Sequence, residues 1–93
     1  IAINKVKVNQ MDSKHIYKAL GVYLTNVRKN KKMTQKEMGE SVNHNRSWWA
    51  DLENGRTAIK FDDVKVIMDK YSLDYKSLND FIDNYVDSNN LKN

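Results

Sequence analysis

Apolar residues recur at helical spacing over most of the chain. Ile16, Leu20, Leu24 and Val27 fall on one stripe and predict a first helix from about Ser13. The basic run Arg28, Lys29, Lys31, Lys32 follows, which suits the negative end of a helix. Thr34 and Glu37 have the spacing of a capping box, so a short second helix should run from Gln35 to near Ser41. Gly39 in its middle costs helix stability, and close approach of another helix is the reason to expect it. Asn43 suits a turn, because Asn tolerates left-handed backbone angles. Asn45 is a good N-cap for a third helix from Arg46 to about Asn54, with Trp49 and Leu52 facing inward and Gly55 stopping it. A loop at 56–60 separates this from a fourth helix, marked by Phe61, Val64, Met68 and Tyr71, with Asp62 and Asp63 in its first turn. Asp74 caps a fifth helix, whose stripe of Tyr75, Leu78, Ile82 and Tyr85 is widened by Phe81 and Val86.

The pattern predicts an all-α domain of five helices over residues 13–87, with a frayed tail at 88–93. Residues 1–12 form an N-terminal arm or were added to the natural chain, and Met11 is a candidate natural start. Residues 1–10 alternate weakly and carry two lysines, which fits a short strand, an added segment, or a basic arm able to enter a minor groove. With 40% apolar residues in 93, the chain can build one core. No apolar run approaches the length of a membrane span or a signal-peptide core. There is no cysteine, so disulfides and thiolate metal sites are excluded and a cytoplasmic location is expected.

Charge changes the picture more than composition does. Residues 1–60 carry 12 Lys/Arg against 5 Asp/Glu, a net of +7, while residues 61–93 carry 4 against 7, a net of −3. A basic first part invites a polyanion, although a solvated lysine surface looks the same in sequence. Catalysis is disfavoured. His15 and His44 are the only histidines, and the only glycines, Gly21, Gly39 and Gly55, make no phosphate-binding loop. No cofactor or metal is expected.

The stretch MTQKEMGESVNHNRSWWADLENG, Met33 to Gly55, resembles the helix-turn-helix of the phage Cro and CI repressors, the XRE-like regulators. With the flanking helices the resemblance covers roughly residues 16–86. It implies a repressor-like domain in which helices 2 and 3 form the helix-turn-helix and helix 3 enters the major groove of double-stranded DNA. Arg46, Ser47, Ala50 and Asp51 then take the base-reading positions. Arg46 would suit guanine, Asp51 cytosine, and the Ala50 methyl a thymine methyl. Gln35 matches the glutamine that contacts phosphate in relatives. Asn45, Asn54, Arg56, Thr57 and Lys60 are expected along the DNA backbone. Arg28 stands seven residues before Gln35, like an arginine that pairs in relatives with the residue equivalent to Glu53. A partly buried Arg28–Glu53 ion pair is therefore expected. Relatives also dimerise, which points to Phe81, Tyr85 and Val86 of helix 5 as a self-contact and to an inverted-repeat site. Repression and a bacterial or phage origin are further implications of the resemblance.

Four positions depart from the family pattern: Asn43 for a glycine, His44 for Val or Thr, Lys60 for a Ser or Thr cap, and Trp48. His44 is expected half-buried or facing phosphate. Trp48 either packs against helix 2 or helix 4, or touches DNA sugars or a thymine methyl. A competing reading is a helix-turn-helix fold that binds a protein, of antitoxin or antirepressor type, through the acidic second part and helix 5. A third is the DNA-binding piece of a longer regulator.

Overall fold

The computed structural model describes residues 13–89, all of them in five helices and their connections. These are α1 (Ser13–Asn30), α2 (Gln35–Ser41), α3 (Arg46–Glu53), α4 (Phe61–Lys70) and α5 (Tyr75–Ser88). The expected arm at 1–12, and the tail beyond 89, lie outside the described residues.

Local chemistry sets the boundaries. Thr34 and Glu37 form the capping box, with Thr34 Oγ1 accepting from the Glu37 N–H at 3.0 Å and Glu37 Oε1 accepting from the Thr34 N–H at 2.8 Å. Asn45 caps α3 and Asp74 caps α5, each accepting from the backbone N–H three residues on. Lys60, at the start of α4, makes no side-chain cap. Four helices end alike. Lys32, Asn43, Gly55 and Ser72 adopt positive φ of 56°, 66°, 67° and 53°. The next N–H then reaches back to the last turn, as from His44 to the Gly39 carbonyl at 2.8 Å and from Leu73 to Met68 at 2.8 Å.

The core joins Leu20 and Leu24 of α1 to Met38, Val42, Trp49, Leu52, Ile67, Met68 and Leu78. Helix α1 lies against both α3 and α5, and α2 packs on α3. Glycines permit two of these approaches. A Cβ on Gly39 would stand 2.3 Å from the Asn45 carbonyl oxygen, so α2 can meet the first turn of α3. A Cβ on Gly21 would stand 2.3 Å from the Glu53 carbonyl oxygen, where α1 meets the end of α3.

Two helices differ from the sequence expectation. On α4 the inward face is Val64, Ile67, Met68 and Tyr71, whereas Phe61 is 75% exposed. Phe61 is the first residue of its helix, and helical side chains lean toward the N-terminus, so its ring overhangs the connection instead of the core. On α5, Tyr75 is 43% exposed while Val86 is completely buried. Val86 is therefore an interior residue of this chain and no surface contact. The reason is the packing of α5 along α1, where Phe81 meets Tyr23 edge to face at 5.5 Å and Tyr85 stacks on Phe81 at 6.3 Å. Phe81 and Tyr85 are half-buried by these contacts.

Candidate nucleic-acid interface

A helix that must present side chains to a partner has to be held from behind. Four donors converge on the Glu53 carboxylate at the end of α3. Arg28 Nε and Nη2 reach Oε2 and Oε1 at 2.6 and 3.2 Å, Gln35 Nε2 reaches Oε1 at 2.9 Å, and Trp49 Nε1 reaches Oε2 at 2.5 Å. Arg28 also donates to the Met33 carbonyl at 3.0 Å. The ion pair is well shielded, with side chains 15% and 6% exposed. Burial pushes the Glu53 carboxyl pKa up, but the hydrogen bonds from Arg28, Gln35 and Trp49, with the charge of Arg28, outweigh it and hold the pKa below 4.5. This knot ties together α1, the start of α2 and the end of α3.

Gln35 departs from its expected place. Its carboxamide turns inward to Glu53 instead of outward to a phosphate. A carboxylate shielded this far has lone pairs that water cannot fill, and Gln35 supplies the missing donor. Trp49 does the same from one helical turn away. That contact went unseen in the sequence, though the i, i+4 spacing of Trp49 and Glu53 carried it.

With Trp49 and Leu52 buried, the outer face of α3 carries Arg46 and Ser47, exposed, and Ala50 and Asp51, partly exposed. The guanidinium of Arg46 has no ion-pair or hydrogen-bond partner among the described residues. Asp51 faces Arg56 at 3.7 Å, with side chains 50% and 71% exposed, a separation and exposure that make the pair weak. Asn45 spends its carboxamide oxygen on the cap at 2.8 Å. Asn54 donates back to the Ala50 carbonyl at 2.9 Å, and the Thr57 hydroxyl makes only a long contact of 3.4 Å with Ala58. Lys60 is exposed. Arg46 and Asp51 thus share α3, and Asn54 through Lys60 continue from its end; Gln35 is drawn away from both groups.

Trp48 packs on the turn itself. Its ring stacks on His44 at 3.6 Å and an interplanar angle of 5°. His44 Nε2 lies 2.9 Å from Asp63 Oδ1 on α4, and the imidazole is half-buried. The stack links the turn, the first turn of α3 and the start of α4. Among the described residues no three His, Asp or Glu side chains gather to hold a metal ion, and no helix is long and apolar enough to cross a membrane.

A comparison with known proteins agrees with this geometry. The family model described as a helix-turn-helix domain matches residues 19–78, more than half of the chain. Neither the curated proteins nor the solved structures compared gave a match. The matched stretch runs from the inward face of α1 through the Glu53 knot to Leu78 of α5, and the chain belongs to the helix-turn-helix domain family.

Proposed function

We propose that this protein is a sequence-specific regulator of transcription that binds double-stranded DNA and acts by repression. The observation that carries the reading is the contrast across α3. Its inner face is immobilised by Trp49, Leu52 and the Glu53 knot, while its outer face offers an unpaired Arg46 beside Ser47, Ala50 and Asp51. A preorganised helix with a free guanidinium at its N-terminal end suits insertion into a major groove, where arginine donates two hydrogen bonds to guanine O6 and N7. Arg56 and Lys60, exposed just beyond, suit the phosphates flanking the groove. Gln35 is left out of this set. Its helix can still offer backbone N–H groups to a phosphate.

The test is selection from a pool of randomised duplexes at roughly physiological salt. An enriched inverted repeat supports specific recognition by a twofold dimer, whose half-site spacing it reports. An enriched single half-site keeps the recognition and removes the dimer. Retention without enrichment rejects the proposal. Dimerisation through α5 would have to use the outer edges of Phe81 and Tyr85, since Val86 is interior.

A protein partner is the second reading, and one observation favours it. Phe61, 75% exposed, stands beside Asp62 in the acidic part of the chain and has no role in the core.

A further inference from the structure

A second site lies away from the outer face of α3. An open cleft of about 410 Å³ lies where the first turns of α1 meet the ends of α3 and α5. His15 and Lys18 line one wall, Asn54 and Gly55 another, and Tyr85 and Asn89 the third. Within the described residues, the Nδ1 atom of His15 is buried and has no hydrogen-bond partner. A buried polar atom without a partner is costly, and native structures rarely leave one so. The Lys18 ammonium and the Tyr85 hydroxyl likewise make no hydrogen bond or ion pair to a described residue. Asn54 and Asn89 have each turned an N–H back to a helix carbonyl, at 2.9 and 2.8 Å, which leaves their carboxamide oxygens as acceptors.

We propose that this cleft is a binding site for a small hydroxylated organic anion, a carboxylate or phosphate ester. The volume falls in the range of small-molecule sites. Lys18 supplies the charge that selects an anion, the Tyr85 hydroxyl supplies a directional partner, and a turn of the His15 ring would bring its unpartnered Nδ1 to the ligand. The two carboxamide oxygens accept from hydroxyl groups on the same ligand, which separates such a ligand from a bare inorganic ion. The cleft borders α3 directly: a Cβ on Gly55 would stand 2.8 Å from the Lys18 Cα, so the end of α3 is packed against the wall that carries Lys18.

The experiment titrates the full chain, without DNA, with citrate, glucose 6-phosphate and inorganic phosphate at constant ionic strength, and follows backbone amide and His15 ring NMR shifts. The expected result is saturable binding of citrate or glucose 6-phosphate. Shifts should centre on His15, Lys18 and Gly55, and the affinity should fall at least tenfold in Lys18→Met and in His15→Gln. Lys18 is exposed, so its variant folds even if the His15 variant does not. Non-saturating shifts spread over all the basic residues, or binding indifferent to Lys18→Met, overturn the site. So does the absence of saturable binding of either organic anion to the parent chain. None of these outcomes depends on the duplex selection, so the two readings fail separately.

Discussion

The two halves of the molecule are held together by different physics. From α1 to α3 the ends and junctions are satisfied by side chains at defined angles: the Thr34–Glu37 box, the Asn45 cap and the four donors on Glu53. From α4 to α5 the fold rests mainly on apolar area, with Ile67, Met68, Leu78 and Val86 buried, only α5 capped by a side chain, and ion pairs such as Lys76–Asp80 lying in solvent. Hydrophobic burial is non-directional, whereas hydrogen bonds fix orientation. The half that presents α3 adds directional contacts to its share of the apolar core.

The comparison breaks most visibly at Glu53. Glu53→Ala should lower stability by about 3–5 kcal/mol, because it strands a shielded Arg28 and orphans Gln35 and the Trp49 indole. Chemical denaturation measures this, and a loss below 1 kcal/mol would show that the knot is solvated. The same carboxylate gives a pH signature. Its folded pKa lies below the ordinary 4.5, so its contribution is complete above that value and is lost as the pH falls through the folded pKa. Melting temperatures taken downward from pH 6 should fall more steeply in the parent than in Glu53→Gln.

Gly39→Ala comes next, at about 1–3 kcal/mol or more, since the new methyl group meets the backbone of Asn45 instead of a movable side chain. An unchanged melting temperature would mean that α2 and α3 can separate at no cost. On the outer face, Arg46→Ala should leave stability alone. It should weaken the selected duplex by about 1–3 kcal/mol and relax one base position. Binding assays with single-base variants of the duplex decide this, and an unchanged preference removes Arg46 from readout.

The second half offers the smaller effects. Ser72 holds φ of 53° after α4 without a glycine's freedom, so Ser72→Gly should raise stability by about 1 kcal/mol. Lys76→Ala, which removes an exposed i, i+4 pair, should change stability by no more than about 0.5 kcal/mol. A loss as large as that of Glu53→Ala would erase the distinction between the halves.

Much of this architecture was legible in the chain. Apolar periodicity located α1, α4 and α5, while the Thr34–Glu37 box located α2 and the Asn45 cap and Gly55 stop located α3, because caps and turns are local chemistry between residues a few positions apart. The pairing of Arg28 with Glu53 came from family resemblance; no local rule joins residues 25 apart. The errors have two causes. Stripe membership misplaces Phe61 and Val86, because it says that a residue is apolar but not how far the neighbouring helix extends over it. Family resemblance misplaces Gln35, because it does not say which donors a shielded carboxylate gathers.

What the sequence determined by itself was the order and limits of the helices, the close approach at Gly39 and the basic character of the first part. Each depends on spacing, on capping or on charge, and all three are properties of the chain before it folds. Tertiary structure alone decided that Gln35 turns inward, that Trp48 lies on His44, that Gly21 admits α3 against α1 and that Val86 is interior. These outcomes follow from which surfaces meet across the core, where a buried carboxylate gathers every donor in reach and an aromatic ring takes the nearest flat face.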